Sequence, residues 1–380
     1  MDFSLPDPRC LAPTLLAATL TLSACGGGGS APSTGAASPA SPTTAVTPLR
    51  VVATPNPNVF PLLLAMARQP ALAVSLVPVA DAAQIDSRFA AGQGDALLAM
   101  TYTMAKKVST GAIADLQLVR VNLWRGFSEL APSSAAITDF SQLRGKGLLV
   151  SGPASGGKGG GPDLIFQAAL RRAGLGVADF KVCYLPVMQA APMLAEQQKM
   201  NSNPACDPTF DFPATAISLV EPAATGMVLQ TLMPTSSTAV PLQRAIDLQT
   251  LFTGFSAWPA TQLPHGGLGV LGKVLDDPVQ QASLRAFALA YDAAVVEIAT
   301  ATTLKQRADI AQILAAGITR YYGDLGLDLP APVIAAALTN QELVMRSDLS
   351  VAAVQTDMHR FLTEVVGTAP PAQFYRTTGF

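Results

Sequence analysis

The side chains best able to do chemistry crowd into one stretch, Ser151-Gly152-Pro153-Ala154-Ser155-Gly156-Gly157-Lys158-Gly159-Gly160-Gly161-Pro162. Hydroxyls, a cation and a run of glycines in that order admit several readings. A phosphate loop of the G-x-x-x-x-G-K-[ST] type would use Gly152, Gly157 and Lys158, but Gly159 stands where a Ser or Thr must hold magnesium. A serine nucleophile elbow, G-x-S-x-G, would use Ser155, but Pro153 replaces its first glycine. A third reading is a loop whose backbone N–H groups, with Lys158, grip an anionic or polar group of a ligand at a helix N-terminus. The plain alternative is a flexible surface loop.

The flanking residues must position that loop. Gly147 to Ser151 is a short apolar run bounded by glycines, as a buried strand should be. Pro162 suits the first helical position, where its missing N–H is not needed. Gly174 ends the helix, with Arg171 and Arg172 in the last turn, where the dipole favours cations. Strands at 49–53, 73–79, 96–101 and 116–123 alternate with helical segments before the loop. Strands at 180–186 and 214–220 follow it, so both halves read as α/β with largely parallel sheets. Asp81 caps one helix, Thr303 with Gln306 forms a capping box for another, and Ser350 caps the last. Two passages, 129–138 and 221–240, read as crossings between the halves.

Composition narrows the class. The 380 residues suffice for two lobes, and 24 basic against 26 acidic side chains give a net charge of −2, which does not point to nucleic acid. Leu11 to Leu22 is an apolar run too short for a mature membrane span and reads as a signal-peptide core. It ends in Leu22-Ser23-Ala24-Cys25, similar to a bacterial lipobox with Cys25 lipidated, although Arg9 is the flank's only basic residue. Gly26 to Pro48 is a Gly/Ser/Ala/Thr/Pro tether with nothing to bury. Cys183 and Cys206 either pair in an oxidising compartment or stay as two buried thiols. His265 and His359 are the only histidines and no Cys-x-x-Cys occurs, so neither a metal site nor a cofactor is expected.

Phe140-Ser141-Gln142-Leu143-Arg144-Gly145-Lys146 resembles the D-L-x-G-K segment that opens the second lobe of ABC-importer solute-binding proteins. The resemblance is to the nitrate, taurine, aliphatic-sulfonate and thiamine-pyrimidine-precursor binders. Arg171-Arg172-Ala173-Gly174-Leu175 is similar to that group's A-G-L ending, and Glu221-Pro222 to its E-P dipeptide. Asn201 to Pro213, around Cys206, departs from the group's short turn. The resemblance implies a two-lobed periplasmic binding protein, type II-like, with a ligand cleft between lobes. Its parts would be a lipoprotein signal peptide (1–24), a lipidated Cys and tether (25–48), lobe 1 (49–133), lobe 2 (134–222) and the rest of lobe 1 with a helical C-terminus (223–380). It implies a monomer, not an enzyme, exported to the periplasmic or outer face of the envelope. Its partners would be a small anionic or polar solute, an ABC permease with its ATPase, and the membrane through the lipid.

Ligands in open α/β sheets sit beyond the carboxyl ends of strands. That rule selects Asn58, Phe60, Thr101, Tyr102, Trp124, Ser151, Ser155, Gly156, Gly157, Lys158 and Glu221, with Trp258 from the loop after the second crossing. Trp124 reads equally as an aromatic wall or as core, Arg125 as an anchor or a surface charge, and Glu221 as ligand-facing or as a hinge residue paired with a neighbour. Two other classes compete: an exported serine hydrolase built from Ser155 with His265 or His359, and a lipid-anchored sensor or scaffold on the same fold.

Overall fold

The computed structural model of the protein describes residues 47–152, 158–229 and 239–378. Its strands are β1 (Leu49–Ala53), β2 (Val74–Pro78), β3 (Ala96–Met100), β4 (Leu116–Arg125), β5 (Phe127–Pro132), β6 (Gly147–Gly152), β7 (Lys181–Pro186), β8 (Ala214–Val220), β9 (Leu242–Ile246), β10 (Gly266–Leu271) and β11 (Val344–Met345). Its helices are α1 (Phe60–Arg68), α2 (Ala82–Ala90), α3 (Thr101–Ser109), α4 (Gly161–Arg172), α5 (Val187–Ala195), α6 (Ala223–Val228), α7 (Gly272–Leu275), α8 (Pro278–Thr300), α9 (Leu304–Tyr322), α10 (Ala331–Thr339) and α11 (Val351–Val366).

The strands form two sheets, ordered β11-β4-β10-β3-β1-β2 and β7-β6-β8-β5-β9. In the first, β1 lies parallel between β2 and β3. In the second, β6 lies parallel between β7 and β8. Each sheet also holds strands running the other way, β10 and β11 in the first and β5 in the second, and β9 pairs antiparallel with β5 and so runs with β6. The sheets are therefore mixed. Helices flank both sheets, giving an α/β protein of two lobes.

The crossings differ from the sequence reading. Residues 129–138 were expected to be a link, yet β5 occupies Phe127–Pro132 within the second sheet, so the chain changes sheets around Gly126. The polar Glu129 suggested a loop, but its side chain is buried inside the sheet, at 1% exposure. Likewise β9 pairs with β5, so the return runs from Ile246 to Gly266 rather than through 221–240.

β10 fills the middle of the first sheet, between β3 and β4. Its glycines reflect close approach. A Cβ on Gly267 would lie 2.0 Å from the Arg120 carbonyl oxygen, and one on Gly269 2.8 Å from Met104 Sδ. One apolar core runs from the first sheet through α3, α4 and α11 to one face of the second sheet. A smaller core, including Leu149, Leu185, Met193 and Met227, lies on that sheet's other face under α5 and α6. There Cys183 on β7 and Cys206 in the excursion form a disulfide, with S–S 1.97 Å and Cα–Cα 5.2 Å.

Candidate functional site

A cleft of about 690 Å³ opens where the carboxyl ends of the parallel strands of both sheets converge. The first sheet contributes Thr54, Asn56, Phe60, Asp81, Met100 and Thr103. The second contributes Lys158 to Pro162, Pro186 to Gln189, and Val220 to Ala223. Leu325, Leu327 and Leu329, from the segment after α9, close the side. The walls are mostly apolar, with a few polar groups set among them, as ligand pockets are.

Each polar group is held by local structure. Asn56 precedes a single 3-10 turn, where its Oδ1 accepts from the Asn58 N–H at 2.9 Å and its Nδ2 donates to Thr54 Oγ1 at 2.5 Å. Asp81 ends the β2 segment and caps α2, accepting from the N–H groups of Ala83 and Gln84, both at 2.9 Å. Asp163, in the first turn of α4, accepts from Gly159 N–H at 2.7 Å, Gln167 Nε2 at 2.9 Å and the Tyr184 hydroxyl at 2.8 Å. Burial first, and then this carboxylate, raise the Tyr184 pKa and keep its proton on. Glu221 accepts from Thr225 N–H at 3.0 Å, Thr225 Oγ1 at 2.7 Å and Arg244 Nη2 at 2.6 Å. By contrast, α5 starts after Pro186 without a side-chain cap.

Of the residues selected from sequence, the structure brings Phe60, Lys158 and Glu221 to the cleft. Lys158 is exposed, its Nζ 5.9 Å from the centre of the Tyr184 ring. Glu221 lines the floor, but its carboxylate is fully buried against Arg244 and Thr225. Asn58, Thr101, Tyr102, Trp124 and Trp258 lie in the core instead. The Thr101 hydroxyl donates to the Pro264 carbonyl. Trp124 packs on Trp258 at 5.8 Å between ring centres, and Trp258 stacks on Phe255 at 5.3 Å. The reason is geometric: α3 starts immediately after β3, which turns Tyr102 inward and leaves Met100 and Thr103 on the wall. Arg125 is not an anchor; it pairs with Asp247 at 2.8 Å and Glu342 at 3.3 Å beside both crossings. Ser151 lies on β6, its backbone in register with Leu185. Ser155, Gly156 and Gly157 lie outside the described residues, as does Cys25.

The sequence reading treated Asp81 only as a cap and passed over Met100, Thr103, Met188, Gln189 and the Leu325–Leu329 wall. Following β3 three residues past its end and β7 two residues past its end would have found Thr103 and Met188; nothing local marks the leucine wall. The lobes also touch beside the cleft. Lys106 Nζ on α3 donates to the Gly159 carbonyl at 2.8 Å. A Cβ on Gly161 would lie 2.9 Å from both Met100 Cγ and Thr103 Oγ1, so α4 starts hard against α3. Neither histidine lines the cleft. His265 is fully buried, with Nε2 3.0 Å from Gln249 Oε1, and burial with the nearby Arg125 pushes its pKa down to about 3. Among the described residues no group of three side chains could hold a metal ion, and no helix is long and apolar enough to cross a membrane.

No protein-family profile matches the sequence, and no curated protein matches it. Solved structures do match in fold. The periplasmic aliphatic sulphonate binding protein SsuA from Escherichia coli superposes with a TM-score of 0.54 at 18% identity, over 83% of this chain and 90% of that one. The alkanesulfonate-binding protein SsuA from Xanthomonas axonopodis pv. citri, bound to MOPS, gives 0.55 at 15% identity over 87% and 98%. The periplasmic nitrate-binding protein NrtA from Synechocystis gives 0.54 at 14% identity over 84% and 81%. The chain therefore has the two-lobed fold of these sulphonate- and nitrate-binding proteins.

Proposed function

We propose that the protein captures a small solute in the cleft and delivers it to an ABC permease and its ATPase. The observation that carries this reading is the cleft itself: about 690 Å³, at the carboxyl ends of strands from both sheets, with loops of both lobes on its walls. The fold likeness supports it. In this reading the protein is a monomer and not an enzyme; residues 1–24 are removed on export, and Cys25 carries lipid that holds the protein on the periplasmic or outer face of the envelope. The tether then covers 25–48, and hinge closure of the lobes on the solute follows. The serine-hydrolase alternative is disfavoured because His265 is buried in the core, bonded to Gln249, and His359 packs on Tyr375.

A thermal-shift screen tests the reading. A panel of nitrate, sulfonates, bicarbonate and uncharged pyrimidines is added to the protein and to an Ala83→Trp variant, whose exposed position lets a large ring enter the cleft. A binder at 100 times its dissociation constant adds about 2.7 kcal/mol. A stabilising solute that the variant no longer senses is the expected result. Ester turnover that survives Ala83→Trp, with no solute stabilising either protein, would replace capture with catalysis. Intact mass of the exported protein tests the anchor: the expected species starts at a lipidated Cys25.

A further inference from the structure

We infer that the captured solute is an uncharged organic molecule with a broad apolar face, not an oxyanion. This rests on the reading of the cleft as a capture site and goes against the anionic group expected of the glycine-rich loop. A helix N-terminus attracts an anion because its first N–H groups are unpaired and its dipole end is positive. Here two such ends at the cleft, those of α2 and α6, already have N–H groups taken by a carboxylate of the protein itself, and α4 holds Asp163 in its first turn, while α5 opens without a side-chain cap. Asp81 takes the N–H groups of Ala83 and Gln84 on α2. Asp163, 2% exposed, takes Gly159 N–H before α4, and Glu221, also 2% exposed, takes Thr225 N–H in α6.

The charge census agrees. Among the described lining residues the charged side chains are Asp81, Lys158 and Glu221. Glu221 is neutralised by Arg244 at 2.6 Å, which leaves Asp81 opposing Lys158. Residues 153–157 and 230–238 add no charged side chain to the sequence. An oxyanion would therefore enter opposite Asp81, with the exposed Lys158 as its only counter-charge among the described lining residues, and a charge taken from water without a partner is strongly disfavoured. An uncharged solute meets no such penalty. Phe60, Met100, Met188 and Leu327 offer it an apolar surface, and Thr103 and Gln189 stand beside that surface as neutral hydrogen-bonding groups.

The test uses two probes with one body: uncharged N-phenylnaphthylamine and its sulfonated counterpart, anilinonaphthalene sulfonate. Fluorescence titration of the full-length protein should show the uncharged probe binding at least about tenfold tighter, with both signals lost in Ala83→Trp. Nitrate and sulfate in large excess should leave the uncharged probe in place. Asp81→Asn keeps a helix cap while removing the charge, so it should shift the ratio of affinities toward the sulfonated probe by about threefold or more. A sulfonated probe that binds the tighter of the two and is lost in Ala83→Trp would overturn the inference and leave solute capture standing. An unchanged ratio in Asp81→Asn would also overturn it, since the carboxylate would then exert no field in the cleft. Binding of either probe that ignores Ala83→Trp would remove the capture reading itself.

Discussion

Glu129 lies in the middle of β5, paired in register with Ser218 and Ile246. Among the described residues its Oε1 has no hydrogen-bond partner. Burial pushes its pKa from 4.5 up to about 8, with the neighbouring Ser218 hydroxyl pulling the other way. The stability tied to its proton is complete below pH 4.5, where the unfolded chain holds the proton too, and is lost as pH rises through about 8. His265 works in the opposite sense. Its pKa falls from 6.5 to about 3, so its contribution is present above pH 6.5 and lost as pH drops through about 3. The two slopes oppose each other between 4.5 and 6.5, and Glu129 acts alone from 6.5 to 8. At 1.36 kcal/mol per pH unit, stability should drop by about 2 kcal/mol over that last interval. Urea unfolding at the two pH values should show the drop in the native protein and lose it in Glu129→Gln. A native curve that is flat there would mean that Glu129 is already ionised at pH 6.5.

At the scale of elements, the parts written in short-range chemistry were legible. Asp81, Thr303 with Gln306, and Ser350 cap helices because each side chain reaches N–H groups only two or three residues away. Gly174 ends α4 with φ +71°, which glycine adopts without strain. What failed were properties set by distant residues. Glu129 reads as a loop residue until one knows that β8 and β9 flank it. Trp124 reads as a wall until Trp258 is seen to pack on it, with Phe361 against Trp258 in turn. The cleft was legible to the extent that strand ends mark it, and of the residues chosen by that rule Phe60, Lys158 and Glu221 line it. The Leu325–Leu329 wall arrives from far along the chain and leaves no local trace. The excursion around Cys206 was visible as a run of turn-forming residues, and the disulfide closing a separation of 23 residues ties it to β7. Chain-entropy arguments give about 3 kcal/mol for such a loop. Cys206→Ser should therefore lower unfolding free energy by roughly that amount, measured in urea without reductant; a loss under about 0.5 kcal/mol would mean the loop is ordered without the bond.

For the whole molecule, the two lobes are joined by more than their crossings. α11 packs on α3 of the first lobe and α4 of the second. Arg172 on α4 pairs with Glu364 on α11 at 2.5 Å, and Arg171 Nη2 donates to the Glu364 carbonyl at 2.8 Å. Lys106 on the Gly159 carbonyl adds a further tie between the lobes beside the cleft.

The position of β10 governs when the first lobe can form at all. β3 and β4 are made early, but the strand that lies between them follows the entire second lobe in the chain. Until Gly266 to Leu271 has been synthesised, both strands lack their common neighbour and expose unpaired backbone edges. A chain ending at Pro264 should therefore be insoluble or degraded by protease, whereas the full chain resists; a soluble truncated chain with slow amide exchange in β3 and β4 would contradict this. Pairings that span so much chain also form late in folding. For the exported protein proposed above, that delay has a use: a polypeptide crosses a narrow pore only while extended, and a lobe awaiting its middle strand stays threadable until nearly three-quarters of the chain has emerged.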